Sequence, residues 1–107
     1  MAFWGNLLGT GRPAAVPEHA PAPDQDRDLV LFKFDTCPYC VRVFRAVDSL
    51  GLEIPMRDTK RDPSAREALI GHTGRTQVPC LVIDGQPLLE SADIVAWLTA
   101  YASRGES

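Results

Sequence analysis

The chain has 107 residues, of which 45% are apolar, and a formal net charge of -3. This length and composition predict one compact domain rather than a disordered chain. Lysine and arginine are scattered and form no basic face, so we expect no nucleic-acid partner. No window is long and apolar enough to predict a transmembrane segment, and the first residues lack a secretory signal, which indicates the cytoplasm.

The first 27 residues are predicted to lie outside the domain. Residues 12–27 contain four prolines among alanine and polar residues, a composition that predicts an extended linker. The apolar residues ahead of it are Phe3, Trp4, Leu7 and Leu8. They can dock on the domain, contact a membrane or a partner, or form a disordered terminus, and the sequence favours the last. We therefore predict an extension over residues 1–27 and a domain over residues 28–107.

The first predicted element is a strand from Leu29 to Phe34, since a short, nearly continuous apolar run is typical of a strand buried on both faces. A helix follows from Pro38 and ends at Gly51. Its apolar stripe consists of Val43, Phe44, Val47 and Leu50. Residues 52–58 predict a second strand.

The second predicted helix begins with Asp62 as N-cap and proline at the first helical position, and it ends near Gly71. Its apolar positions are Ala65, Ala68 and Leu69. Residues 79–83 and 87–89 predict two further strands, joined by a hairpin turn at Asp84-Gly85.

Ser91 is the predicted N-cap of the last helix, whose apolar positions are Ile94, Trp97, Leu98 and Tyr101. The resulting order is β-α-β-α-β-β-α. It predicts an α/β fold in which three helices cover the faces of a four-stranded mixed sheet.

Two of the three cysteines, Cys37 and Cys40, are separated by two residues at the junction of the first strand and the first helix. An odd cysteine count with one close pair indicates a redox or metal site. Unpaired N–H groups and the helix dipole favour a thiolate at a helix start, which makes Cys37 the predicted nucleophile. Cys40, one turn into the helix, is the predicted resolving thiol.

The same pair could instead supply two ligands to zinc. The other ligands would come from Cys80, His72, His19 or carboxylates, none of which forms a second close pair in the sequence. A single pair in a β-α-β context favours redox chemistry, so no metal is expected.

The sequence resembles the glutaredoxins over about residues 28–103. Three segments carry the resemblance: Cys37-Pro38-Tyr39-Cys40, which matches the dithiol active-site run, Gln77-Val78-Pro79, which resembles a Thr-Val-Pro segment, and Glu90-Ser91-Ala92-Asp93-Ile94, which resembles a Gly-Ser-Asp-Asp-Leu segment. The Glu90-Ser91 pair is also similar to the N-terminal domain of glutathione transferases, which shares the thioredoxin-like fold.

The resemblance implies a thioredoxin-like fold and a cis peptide bond before Pro79. The backbone of Val78 would then face Cys37 and pair with the cysteinyl part of glutathione. Ser91 would hold the γ-glutamyl carboxylate at a helix start, and Asp93 would stabilise that start or face the ligand's amino group. The predicted glutathione-binding residues are Tyr39, Arg75, Gln77, Val78, Pro79, Ser91 and Asp93.

The sequence departs from the glutaredoxin pattern in two places. Phe34 stands where many members have a cation, and strand alternation is expected to send Lys33 to the opposite face. Arg75 is the predicted substitute for binding a carboxylate, with Arg42 as a second candidate, although both are also compatible with solvated surface positions. Cys80 is expected to be a buried small hydrophobe.

The resemblance implies a thiol–disulfide oxidoreductase that reduces protein disulfides or protein–glutathione mixed disulfides. Glutathione would be its co-substrate, disulfide-bearing or glutathionylated proteins its partners, and the expected state is a monomer. One alternative is a glutathione-binding or partner-binding module with little turnover. A glutathione transferase would need a second, helical domain, and an iron–sulfur cluster shared between two chains is disfavoured by Pro38.

Overall fold

The computed structural model describes residues 16–104, so the apolar residues at positions 3–8 lie outside the described residues. Within the described range, the elements are β1 (Leu29–Lys33), α1 (Pro38–Ser49), β2 (Met56–Asp58), α2 (Pro63–Thr73), β3 (Cys80–Ile83), β4 (Gln86–Leu88) and α3 (Ser91–Ala102). The predicted element order is confirmed. None of the helices in this range is long and apolar enough to cross a membrane.

The strands form one mixed sheet in the order β2-β1-β3-β4. β1 runs parallel to β2 and antiparallel to β3, which in turn pairs antiparallel with β4. The turn between β3 and β4 is made by Asp84 and Gly85, whose φ angles are 49° and 85°. Two positive φ values are typical of the type I′ turn that joins a two-residue hairpin. The predicted hairpin is therefore confirmed.

Apolar side chains cover both faces of the sheet, because neighbouring strand residues such as Leu31 and Phe32 point to opposite sides. One cluster joins the sheet to α1 and α3, and it consists of Leu31, Val43, Val47, Leu81, Ile83, Leu88, Ile94, Trp97, Leu98 and Tyr101. The other joins the sheet to α2, and it consists of Phe32, Ala65, Leu69, Cys80 and Val82. The predicted helical stripes thus lie in the core.

Two predicted boundaries are wrong by more than one residue. The strand predicted over residues 52–58 begins only at Met56, where pairing with β1 starts. The second helix continues past Gly71 to Thr73 and is closed by Gly74, whose left-handed φ of 75° lets its N–H reach the carbonyl of Ile70 at 2.7 Å.

The N-cap predicted at Ser91 is also wrong. Ser91 is the first residue of α3, and Glu90 is the N-cap, since its carbonyl accepts the N–H of Ile94 at 3.0 Å. Glu90 makes no capping bond through its side chain. The prediction of Asp62 as N-cap of α2 is confirmed, because its carboxylate accepts the N–H of Ser64 at 3.0 Å.

The segment preceding β1 lies against α3. The indole N–H of Trp97 donates to the carbonyl of Pro21 at 2.7 Å, and the N–H of Arg27 donates to the hydroxyl of Tyr101 at 3.1 Å. Residues 16–27 therefore contact the predicted domain, and the boundary at residue 28 stays a prediction.

Candidate active site

Cys37 lies at the N-cap of α1, directly after the loop that leaves β1. Its φ and ψ of -78° and 118° are extended, and Pro38 starts the helix with a φ already suited to it. The N–H of Cys40 donates to the sulfur of Cys37 at 3.3 Å. The sulfur thus occupies the place of a capping oxygen, where the N–H groups of the first turn and the helix dipole favour negative charge.

Cys40 lies one turn into α1 in a different environment, with no exposed surface. Burial and a hydrogen bond with the side chain of Cys37 together raise the pKa of its thiol to about 12, while a backbone hydrogen bond at Phe34 and the charge of Lys33 oppose the shift. At neutral pH Cys40 therefore holds its proton. All three cysteines are free thiols in the structure.

A groove of ≈ 430 Å³ opens between the start of α1, the loop before β3 and the start of α3. It is lined by Tyr39, Gln77, Val78, Pro79, Glu90 and Ser91. The Val78–Pro79 peptide bond is cis, as the resemblance implies. The carbonyl of Val78 lies 3.9 Å from the sulfur of Cys37, which donates to it, so the groove adjoins this sulfur.

The start of α3 forms the polar end of this groove. Ser91 is 9% exposed and lines the groove. Because Glu90 provides no side-chain cap, the N–H groups of the first turn are not bonded by a capping side chain. An anion placed here would gain both these N–H groups and the dipole.

Two predicted ligand residues do not line the groove. Arg75 is exposed, but its guanidinium donates to the side-chain carbonyl of Gln77 at 3.2 Å, which places it at the groove's edge. Asp93 lies in the first turn of α3 and is partly buried.

The sequence model of the glutaredoxin family matches residues 29–88. This chain belongs to the glutaredoxin family. Glutaredoxins are glutathione-linked thiol oxidoreductases, so the predicted enzyme class is confirmed.

Individual relatives agree with this membership. Glutaredoxin 3 of Escherichia coli (strain K12) is 32% identical over 69 residues, which cover 64% of this chain and 83% of that protein. The buckwheat glutaredoxin–glutathione complex is 24% identical with a TM-score of 0.54, covering 74% of this chain and 83% of that chain. A Tau class glutathione S-transferase from mango is 18% identical with a TM-score of 0.59, and the match covers 71% of this chain and 34% of that chain. The thioredoxin-like fold is therefore confirmed.

In this glutaredoxin, the cations on and beside β1 differ from the arrangement that the resemblance implies. Lys33 pairs with Asp35 at 2.8 Å and with Asp58 at 3.5 Å, and the hydrogen bond with Asp35 raises the pKa of the ammonium. Phe34 occupies the expected cation position, and the ammonium of Lys60 lies 4.3 Å from the centre of its ring. Lys60 was not among the predicted residues, since it follows β2 and reaches Phe34 only because β1 and β2 are adjacent.

Glu90 is the second residue that the sequence analysis missed. It lines the groove and has a φ of 21°, a conformation uncommon for a residue with a side chain. The available indication was its position, because the resembling glutaredoxin segment has glycine there.

The remaining candidates lie apart from the groove. Arg42 is exposed and lines a different groove along α3. Cys80 has no exposed surface, and burial raises the pKa of its thiol to about 11, so its predicted burial is confirmed. Over residues 16–104, no three histidine, cysteine or acidic side chains converge in a way that could hold a metal ion.

Proposed function

We propose that this glutaredoxin reduces protein disulfides and protein–glutathione mixed disulfides, with glutathione as co-substrate. The observation that carries the proposal is the position of the Cys37 sulfur, which lies both at the N-terminus of α1 and 3.9 Å from the carbonyl of Val78 on the groove wall. A tripeptide bound along that backbone would bring its own sulfur next to the nucleophile. The cytoplasm, where thiols are kept reduced, is the proposed compartment.

The reaction begins when the Cys37 thiolate attacks the glutathione sulfur of a glutathionylated protein. The protein–glutathione S–S bond breaks, a bond between Cys37 and glutathione forms, and the protein sulfur leaves and takes up a proton. A second glutathione thiolate then attacks the bound glutathione sulfur. This step releases glutathione disulfide and restores the Cys37 thiolate.

Reduction of a protein disulfide uses Cys40 as well. Cys37 forms a mixed disulfide with the substrate protein, and Cys40 then attacks the sulfur of Cys37, which releases the reduced protein and leaves a Cys37–Cys40 disulfide. Two glutathione molecules reduce this disulfide and leave as glutathione disulfide. The raised pKa of Cys40 keeps it protonated until that step, so its proton must pass to the departing substrate sulfur. The burial of Cys40 supports its role as resolving thiol.

The groove offers a different contact to each part of glutathione. The backbone of Val78 pairs with the cysteinyl residue, while Ser91 and the N–H groups of α3 take the γ-glutamyl carboxylate. Glu90 and Asp93 supply negative charge for the neighbouring amino group.

The other end of the tripeptide lies against the loop before β3. Arg75, held beside Gln77, binds the glycyl carboxylate there. Tyr39, which is 65% exposed, covers the ligand with its ring. Pro79 completes the groove wall.

The proposal is tested by comparing Cys37→Ser, Cys40→Ser and Cys80→Ala in an assay of glutathionylated protein turnover. We expect Cys37→Ser to lose roughly a thousandfold or more, since a serine hydroxyl is not ionised at neutral pH. Cys40→Ser should keep turnover of this substrate but lose reduction of protein disulfides. Cys80→Ala, which changes a buried cysteine that does not line the groove, is the matched control.

Unchanged turnover in Cys37→Ser would overturn the assignment of the nucleophile. A natural chain that binds glutathione but turns over neither substrate would instead support the binding module with little turnover.

A further inference from the structure

A second groove, of ≈ 450 Å³, runs along the outer face of α3. Its floor consists mainly of small side chains, among them Ala92, Val95, Ala96 and Ala100, which recur at helical spacing. Val16, near the start of the described chain, forms part of its wall. This groove shares no lining residue with the glutathione groove.

No segment within residues 16–104 covers this apolar groove. Apolar surface that stays in contact with water contributes nothing to stability, whereas covering it contributes in proportion to the area removed from water. Small side chains on the floor leave space for bulky ones from an incoming segment. A helix that lays an apolar face into such a groove uses anchors three or four residues apart.

We propose that the chain's own N-terminal residues occupy this groove. Their four large apolar side chains have the spacing of one helical face, and they are Phe3, Trp4, Leu7 and Leu8. Bulky anchors thus complement a floor of small residues. The sequence by itself favours a disordered terminus here, and the groove is the observation that reverses this preference.

The position of Val16 makes the contact geometrically accessible. The eight residue steps from Leu8 to Val16 span up to about 27 Å when extended. The 12 residues of α3 are only about 18 Å long. The segment can therefore reach any part of the groove, and Gly9, Gly11 and Pro13 suit a connection that turns back.

Covalent attachment also favours this occupant over a separate molecule. A segment tethered by a short linker has an effective concentration in the millimolar range, so even a weak apolar contact is populated. The contact should therefore be independent of protein concentration.

Trp4 gives a direct measurement, because the chain has two tryptophans and the other, Trp97, is fully buried. Subtracting the fluorescence of the Trp4→Phe variant from that of the full chain isolates the emission of Trp4. Against a free peptide of residues 1–15, we expect acrylamide to quench Trp4 roughly threefold less efficiently in the full chain, since packing excludes the quencher. The difference should persist on dilution.

The groove is tested by Ala96→Glu, which puts a charge on its floor. We expect this variant to restore quenching of Trp4 to the level of the peptide while it keeps glutathione-dependent turnover. Gly71→Glu on α2 is the matched control, since it adds the same charge at a position where a Cβ meets no atom within 4 Å. It should leave Trp4 shielded.

If Ala96→Glu fails to fold, the double variant Leu7→Glu/Leu8→Glu tests the same contact from the other side, and it should expose Trp4. The proposal is overturned if Trp4 in the full chain is quenched as efficiently as in the peptide. It is also overturned if dilution removes the shielding of Trp4 and also dissociates a dimer seen by sedimentation. That result would indicate that a second copy of the chain occupies the groove. Shielding that needs phosphatidylcholine–phosphatidylglycerol vesicles would indicate a membrane surface and overturn it too.

Discussion

The N-terminus of α2 differs from those of α1 and α3 in how its N–H groups are satisfied. Asp62 caps α2 with its carboxylate, whose pKa is lowered chiefly by a hydrogen bond from the hydroxyl of Ser64. In α1 the capping atom is the sulfur of Cys37, and in α3 no side chain caps. The two helices without an oxygen cap are the ones whose first turns line the groove beside Cys37, through Tyr39 and Ser91. Of the three helix starts in residues 16–104, the one with a carboxylate cap is thus the one that does not border the groove.

The largest expected effect is at Cys37, where the stability of the fold and turnover can be measured separately. Serine is a good N-cap of similar size, so Cys37→Ser should keep the thermal midpoint within about 2 °C while turnover falls roughly a thousandfold. Thermal unfolding by circular dichroism and the turnover assay measure the two quantities on the same sample. If the thermal midpoint fell together with turnover, the sulfur would be needed for the stability of the fold. This result would contradict the distinction between the start of α2 and the start of α1.

Ser91→Ala should weaken glutathione binding without weakening the helix. Because Ser91 is not the cap of α3, the thermal midpoint should stay unchanged. Loss of one hydrogen bond to a carboxylate should raise the KM for glutathione roughly tenfold with little change in kcat. Thr99→Ala, which changes an exposed residue of α3, is a control that should alter neither the KM for glutathione nor kcat. An unaltered KM in Ser91→Ala would remove Ser91 from the binding site.

Asp62→Ala should have the opposite pattern, with a thermal midpoint lower by roughly 5 °C and normal turnover. The ionised carboxylate is the capping form, so its contribution is present above its ordinary pKa of 3.8 and is lost as the pH falls through the lowered pKa. The midpoints of the variant and the natural chain should therefore converge in acid. If the two thermal midpoints still differed in acid, the stabilisation would not come from the ionised carboxylate.

The smallest effect concerns Cys80, which is buried in the cluster between the sheet and α2. Its protonated form is favoured in the fold, so its contribution to stability is present below the ordinary pKa of 9.0 and is lost as the pH rises towards about 11. Between about pH 8 and pH 10, the free energy of unfolding should fall by about 1 kcal/mol more in the natural chain than in Cys80→Ala. Urea unfolding at both pH values measures this difference. An equal decrease in the free energy of unfolding in the two proteins would contradict the burial of an un-ionised thiol.

The element order and the helical stripes could be predicted from the sequence because they depend on local patterns. Periodic apolar residues, Pro38 after Cys37 and the Asp84-Gly85 turn all act through their immediate neighbours. The boundary of the second strand could not be predicted, because Met56 becomes a strand residue only through its pairing with β1.

The candidate site was predictable only in part. The spacing of Cys37 and Cys40 predicts the reactive pair, which stays a prediction, and the motif resemblance named most of the residues that line the groove. The contact of Lys60 with Phe34 joins residues 26 positions apart, and no local pattern encodes it. The unusual φ of Glu90 is likewise a property of the closed structure.

By itself, the sequence determined a β-α-β-α-β-β-α chain with a close cysteine pair at a helix start, since periodicity, turn chemistry and capping are short-range effects. The tertiary structure alone decided that Cys40 keeps its proton and that Val78 lies against Cys37. It also decided that an apolar groove lies beside Val16. These depend on burial and on distances between segments remote in the chain, which only the packing of helices on the sheet sets.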